Sequence, residues 1–473
     1  MRRAFLLAPL LASACMMGPK HPTTPIALAP PVASEAITPA SGPAQRIVAG
    51  GAVRADWWRG FASPALDALV DKALAANTDI ANAEASLRQA REQAAAAAGA
   101  SLPQLDASYQ AQRTRVSRVF SNPLQDPNQY LYTLHTAQVT VSYPLDLFGG
   151  LRSKTASARA VAEVARDRLV AARTTVIANL VSAVIQQAAL QGQVEAARSS
   201  IASNRDVLHM MQLRQQLGDI GLADVAAQQT ALATAEGALP PLVRQRDHQR
   251  GLIATLTGVA AGSPLPPLPR LDELTLPADL PVALPADIVA NRPDVRAAEA
   301  QMRGAGADVG AAIAARLPNI MLSASAGGEA TNIADMFASG NPFWALIGGV
   351  TQPLFHGGQL RHQQHAAEAA LEGAKAQYRA AALQAFADLS DALTGLRTDA
   401  DALDAATRAS AAADQNLLFI RRQLQLGGAG TLAVLNAESA AAQASSQRVQ
   451  AVAARLGDTV ALYQAVGGGV AAK

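Results

Sequence analysis

Residues Phe343–Tyr378 read FWALIGGVTQPLFHGGQLRHQQHAAEAALEGAKAQY, and the reading of this stretch decides the fold. It begins as a charge-free, strand-like run to Pro353, turns at Gly357-Gly358 and continues as an Ala-rich helical pattern. Residues Ala137–Ala160, AQVTVSYPLDLFGGLRSKTASARA, carry the same sentence earlier in the chain. Pro144, Leu145, Gly149, Leu151 and Arg152 match Pro353, Leu354, Gly358, Leu360 and Arg361, all at an offset of 209 (353 − 144). A strand that feeds a long helix twice marks a duplicated unit.

The duplication runs nearly the whole length. Asp79, Ala83, Glu84, Arg88, Leu102 and Pro103 recur as Asp294, Ala298, Glu299, Arg303, Leu317 and Pro318, at an offset of 215 (318 − 103). Downstream, Leu217-Gly218 and Val225 recur as Leu426-Gly427 and Val434, again at 209. The two copies therefore differ mainly in one loop. Each reads helix, strand, loop, strand, long helix, short break, helix.

Composition narrows the class. A formal net charge of +2 and the lack of a basic block give no sign of a nucleic-acid partner. Half the residues are hydrophobic but only 4% are aromatic, which suits close-packed Ala-rich helices better than a bulky core. The duplication argues for one body with pseudo-two-fold symmetry.

Residues 1–14 read as an export signal: Arg2-Arg3 supply the positive end and Ala4–Leu11 an apolar run too short to span a bilayer. Leu11-Ala12-Ser13-Ala14-Cys15 places small residues before the only cysteine, as lipoprotein signal peptidase requires, although Ala12 stands where Leu is commoner. The plainer alternative is an ordinary signal peptide with a chance cysteine. No internal disulfide is available to the mature chain. Residues 15–51 read as a lipid-anchored, extended, Pro- and Ala-rich tether, and Trp57-Trp58 as the start of ordered chain. Pro64–Ala100 reads as one helix.

Strands are expected near 104–113 and 136–143 in a first repeat of residues 52–257, and near 319–327 and 343–352 in a second of residues 286–466. In Gln104–Arg113, Leu105, Ala107, Tyr109 and Ala111 alternate with Asp106, Ser108, Gln110 and Gln112; Trp344–Val350 alternates less cleanly. One polar and one apolar face fits a half-buried sheet or a membrane barrel with a wet lumen. Ten of the eighteen aromatics fall in Gln104–Phe148 and Asn319–Phe355, 82 of 473 residues, as interfacial girdles would place them.

Gly150–Gln216 and Leu360–Leu426 read as twin helices, each roughly 100 Å long at 1.5 Å per residue. Thr174–Val194 has no charge, but Asn179, Ser182, Gln186, Gln187 and Gln191 argue for packing on neighbouring helices rather than a membrane span. Each long helix breaks at a glycine turn and returns as an αα-hairpin. Gly258–Pro285, with seven prolines, reads as a connector, and 467–473 as a tail.

Four strands cannot close a membrane barrel, and open edges in lipid would leave backbone groups unpaired. The chain is expected to oligomerise; two copies would give eight strands and three would give twelve.

The duplicated layout, Cys15 with Gly18-Pro19 after it, Arg292-Pro293-Asp294, Gln352-Pro353-Leu354-Phe355 and Gly-x-x-x-Leu-x-Val-Leu-x-Ala-Glu (Gly428–Glu438) together resemble the TolC-like outer-membrane efflux proteins, in particular the NodT-type lipoprotein branch. The resemblance covers about residues 15–466. It implies a mainly α fold with a membrane β portion: a homotrimer whose twelve-stranded outer-membrane barrel continues into a periplasmic α-helical barrel. It also implies a periplasmic adaptor and an inner-membrane pump as partners, with outer-membrane lipid around the strands.

The turns at Gly218 and Gly221, and at Gly427 and Gly430, would then be adaptor-docking turns. The family's pore-narrowing acidic positions map onto Ala433 and Asn436, so the expected constriction is an apolar Leu432 ring beside a neutral Asn436 ring. Asp224, equivalent to Ala433, is the one acid kept. Alternatively, Leu432 packs between helices.

No phosphate loop, metal-spaced Cys/His set or nucleophile elbow is found, so no enzyme, cofactor or metal is expected. His356, His362 and His365 read as solvated histidines, Glu84 and Glu299 as structural carboxylates, and Met210-Met211 as an isolated pair. The alternative to an efflux conduit is a lipid-anchored periplasmic coiled-coil scaffold that does not span the membrane.

Overall fold

The computed structural model describes residues 34–39, 43–51, 53–117, 130–282 and 285–469. The signal segment and Cys15 lie outside the described residues. The chain divides into two compact units, one built from Ser86–Ala165 with Ala297–Arg379 and the other from Ile26–Ala85, Arg166–Arg296 and Ala380 onward.

The first unit holds one four-stranded antiparallel sheet, in the order β3 (Gln104–Arg115), β4 (Leu131–Leu145), β6 (Asn319–Ala330), β7 (Pro342–Thr351). β3 and β7 are its edges. Registers fit the duplication residue by residue. Gln104 pairs with Ser142 in the first hairpin and Asn319 with Thr351 in the second, and offsets of 215 and 209 carry one pair onto the other. Helices α2 (Thr78–Gly99) and α6 (Pro293–Ala314, preceded by the short α5, Pro285–Asn291) lead into the hairpins, and α3 (Gly150–Gln216) and α7 (Gln359–Gln425) lead out. Positive-φ glycines make the exit turns, Gly149 in one copy and Gly357 and Gly358 in the other. In the first copy the Asp146 carboxylate also accepts from the N–H groups of Leu151 and Arg152, capping α3.

The second unit is helical apart from one small sheet. α3 and α7 are 67 residues each, and the returning helices α4 (Leu222–Leu256) and α8 (Thr431–Ala465) are 35 each. The charge-free run of α3 is long and apolar enough to cross a membrane, but Ile177, Leu180, Val181, Val184 and Ile185 are buried within the protein. Trp57, Trp58 and Phe61 join this core, with Trp57 stacked on Tyr463 at 4.9 Å.

Two expectations change here. Residues 64–100 are two helices, α1 (Pro64–Ala76) and α2, because Asn77 adopts an extended conformation and its side-chain oxygen caps the N–H groups of Asp79 and Ile80. The tether and the connector are not featureless. β1 (Glu35–Ile37) pairs antiparallel with β2 (Gln45–Ala49), which pairs in parallel with β5 (Asp279–Val282). Ile47, Leu280 and Val282 are fully buried there.

The copies share a clasp. In the first, Asn77 Nδ2 donates to the Leu256 carbonyl at the end of α4; in the second, Arg292 Nη1 donates to the Ala465 carbonyl at the end of α8. The same two offsets relate these contacts.

Candidate functional site: the sheet and the hairpin turns

Strand alternation and register sort the sheet into two faces. One carries Leu105, Tyr109, Val141, Leu322, Leu346 and Val350, with Trp344 80% exposed at the free edge. The other carries Asp106, Ser108, Gln110, Gln138, Thr140, Ser142, Ser323 and Ser325. Even-numbered β7 residues, ambiguous in sequence, fall on the apolar face. The loop-end residues Arg113 and Arg115 lie on that face, at the limit of its apolar band. One side is apolar and the other mostly polar, with Met321 and Ile347 among the exceptions, and both edges are unpaired within the chain, the pattern found in membrane β-barrel strands.

Both hairpin turns have the same build. The N–H groups of Gly218 and Asp219 return to the carbonyls of Gln215 and Arg214, and those of Gly427 and Gly428 to Leu424 and Gln423, two Schellman caps. Gly218 and Gly427 take φ values of 83° and 75°. Gly221 and Gly430 are extended N-caps with φ of −84° and −86°. A side chain is sterically penalised at the first pair, not the second.

Leu432 is 69% exposed and Asn436 is exposed on the same face of α8, so within the chain Leu432 does not pack between helices. Asp224 is already engaged: its carboxylate accepts from the Gly221 N–H at 3.3 Å, capping α4. Ala433 leaves the second hairpin without that cap.

Two polar clusters escaped the sequence reading. Glu438, the last residue of the hairpin motif, is 7% exposed and accepts from Arg421 Nη2 at 2.8 Å and Ser203 Oγ at 3.2 Å, tying α3, α7 and α8 together. Further along, the guanidinium of Arg455 is fully buried; Nη1 donates to the Leu396 carbonyl while Nε and Nη2 have no partner. Asp458, Asp399 and Asp401 surround it electrostatically.

Burial first, then the charge and hydrogen bond of Asp399, push Asp458 up to about 7, against the pull of Arg455. A carboxyl whose folded value lies above its unfolded value of about 3.9 binds an extra proton when folded. Its stabilisation is complete below about pH 4 and is lost as pH rises through about 7. Asp458→Asn is expected to raise stability at pH 8 by on the order of 1–2 kcal/mol, discounted for partial exposure, and to change little at pH 4. Thermal melts at both pH values check this; equal melting shifts would refute it.

The remaining candidates are separate. His362 and His365 meet edge to face at 6.2 Å, and no group of three or more potential metal ligands occurs among the described residues. Glu84 pairs with Arg173 at 2.8 Å. Met211 is buried with Val207 and Val225, while Met210 is exposed.

Amphipathic strands joined to helices three times longer than a bilayer core define an outer-membrane channel protein. The outer membrane efflux protein family model matches residues 69–259 and 284–468. The pyoverdine export outer membrane protein OpmQ of Pseudomonas putida is 32% identical over 422 residues, covering 87% of this chain and 88% of that protein. The toluene efflux pump outer membrane protein TtgF of Pseudomonas putida is 28% identical, covering 88% and 85%. Among solved structures, the outer-membrane channel OprN superposes with a TM-score of 0.85 at 25% identity, covering 96% of this chain and 99% of OprN. The open state of the Neisseria gonorrhoeae MtrE outer membrane channel gives 0.81 at 25% identity, covering 96% and 98%.

The chain belongs to the outer membrane efflux protein family. It is the outer-membrane channel component of an efflux system, a transport protein and not an enzyme.

Proposed function

We propose that three copies close the sheet into a twelve-stranded barrel continuous with a periplasmic helical tunnel, through which small molecules leave the cell. The observation that carries this is the sheet itself, with an apolar face and two unpaired edges. In lipid each unpaired backbone group costs several kcal/mol, which only closure removes. Two copies would give about eight strands, whose interior side chains fill; twelve strands leave a lumen.

In this reading residues 1–14 are removed on export, Cys15 is acylated, and residues 52–257 and 286–466 are the two repeats. The turns at Gly218, Gly221, Gly427 and Gly430 meet a periplasmic adaptor that links the channel to an inner-membrane pump, and the pump selects the cargo. The non-spanning scaffold is disfavoured by Trp344, Leu346 and Val350, each more than half exposed on one face.

Mass measurement of the detergent-extracted protein should find three chains. With Cys15→Ala and the signal kept, the chain should stay in the membrane through alkaline extraction. A folded monomer, or release of the Cys15→Ala chain, would overturn the proposal.

The constriction is proposed at Leu432 and Asn436, with Asp224 near it but held as a cap. A neutral ring focuses little negative field, so multivalent cations should block single-channel current weakly. Asn436→Asp should strengthen block about tenfold or more through three added carboxylates. Tight block of the unmodified channel that Asn436→Asp leaves unchanged would move the constriction elsewhere.

A further inference from the structure

The charges of the four-stranded sheet are sorted by face and by height. Its acidic side chains, Asp106 and Glu329, both fall on the polar face. Its arginines, Arg113 and Arg115, both fall on the apolar face, at the loop end of β3. Both are exposed, and neither guanidinium has a partner among the described residues. Facing them on β4 are Thr133 and Leu131, which offer no carboxylate. The positions equivalent to the two arginines at an offset of 215 are Gly328 and Ala330, so the repeat builds the same strand without cations.

The apolar face changes character along its length. On β4 it runs from Tyr143, nearest the helices, through Val141, Val139 and Ala137 to His135. There Tyr109 of β3 joins it, with Oη 2.8 Å from His135 Nδ1. Ala111, Arg113 and Arg115 follow. Apolar side chains, then amphipathic rings, then cations is the order met on passing from hydrocarbon to lipid headgroups.

Heights agree with that order. Thr133, opposite Arg113, lies ten residues from Tyr143 on β4 (143 − 133). At about 3.4 Å per residue and a strand tilt of about 40°, this is roughly 26 Å along the membrane normal. Membrane barrels carry an apolar band about 25 Å tall. Arg113 is therefore level with the upper limit of the band, and Arg115 stands about 5 Å above it. The helices leave the opposite end of the sheet, so in the outer membrane this limit lies at the outer leaflet.

A cation on the lipid face is costly at mid-bilayer and tolerated near the interface. The sheet supplies these two with no counter-charge. A phosphate does, because a guanidinium can grip two of its oxygens through parallel N–H bonds. Two residues along a strand is about 7 Å, so both side chains can reach one phosphate.

We propose that Arg113 and Arg115 form a binding site for the phosphate groups of outer-leaflet lipid, one site in each chain. The proposal rests on the outer-membrane barrel reading and adds a specific lipid contact to it.

Native mass spectrometry of the full-length protein in mild detergent tests this with two probes, lipid A bearing both phosphates and the same lipid with them removed. The unmodified trimer should hold the phosphorylated probe about tenfold more tightly. Arg113→Gln with Arg115→Gln should abolish that preference, Arg115→Gln alone should reduce it several-fold, and Arg113→Lys with Arg115→Lys should keep part of it. Arg88→Gln with Arg91→Gln removes the same charge from α2 and should leave the preference intact. Excess inorganic phosphate should not displace the lipid.

Unmodified trimers without the preference, or glutamine variants that keep it, overturn this inference alone. Displacement by inorganic phosphate also overturns it, since the site would then take a soluble anion. Trimers lost on substitution while the surviving ones keep the preference would assign the arginines to a contact between chains. If only folded monomers appear, the barrel reading fails instead.

Discussion

Gly327→Val is expected to strip the outer membrane of this protein. Gly327 lies in β6 opposite Gln138 of β4, where an added Cβ would stand 2.3 Å from the Ala137 carbonyl oxygen and 2.8 Å from the Gln138 Cα. These are backbone atoms of the facing strand and cannot rotate away, so a side chain must part the strands. Among the described residues, that ladder is what joins the two hairpins of the sheet. Overpacking of this kind costs about 1–3 kcal/mol or more, and here it also exposes two further sheet edges. The amount of assembled protein in outer-membrane fractions should fall about tenfold or more. Gly348→Ala is the control, because its Cβ would meet only the Leu322 side chain, at an ordinary 3.5 Å. Near-normal levels of Gly327→Val would refute the argument.

Arg292→Met should cost about 2–3 kcal/mol at neutral pH, less than a fully buried pair because its acidic partners are partly exposed. Arg292 is 8% exposed and donates to Asp294 at 3.0 and 2.7 Å, to Asp388 at 2.9 Å and to the Ala465 carbonyl at 2.9 Å. Methionine fills the space but leaves two carboxylates and a carbonyl without their donor. Burial alone would raise the Asp294 pKa, yet the Arg292 hydrogen bond and charge outweigh burial and hold it below the usual carboxylate range. A depressed folded value means stability that is present above the unfolded value of about 3.9 and is lost as pH falls through the folded one. The Arg292→Met deficit in thermal melting should therefore be larger at pH 7 than at pH 3. An equal deficit at both would assign Arg292 a packing role alone.

What sequence could reveal here follows the range of the signal. Alternation in Gln104–Arg113 lies inside β3, and the glycine breaks at Gly218 and Gly427 lie at the hairpin turns, because strand faces and helix caps are written within a few residues. The offsets taken from Pro144/Pro353 and Pro103/Pro318 turned out to be the offsets of the hairpin registers. The β1-β2-β5 sheet was invisible for the opposite reason. Its strands are 3, 5 and 4 residues long, too short for periodicity, and Arg46 faces Asp279 across 233 positions. Asn77 sat inside a continuous helical pattern, and only its backbone shows the break.

At the candidate site, the exposure of Leu432 and Asn436 agrees with a shared helix face. The role of Asp224 as a cap is legible from its place three residues after Gly221, where an N3 acid reaches back to the N-cap N–H. Arg455 and Asp458 gave no sign, since burial of one arginine among many depends on neighbours from α7.

The clasp of each copy has a consequence for delivery. A chain that crosses the inner membrane N-terminus first can close Asn77 onto Leu256 before any of the second copy has arrived. β3 and β4 can pair in that interval too, but the far edge of β4 must wait for β6, which begins at Asn319. Between those two moments the half-built protein is already clasped and still carries an unpaired, adhesive strand edge.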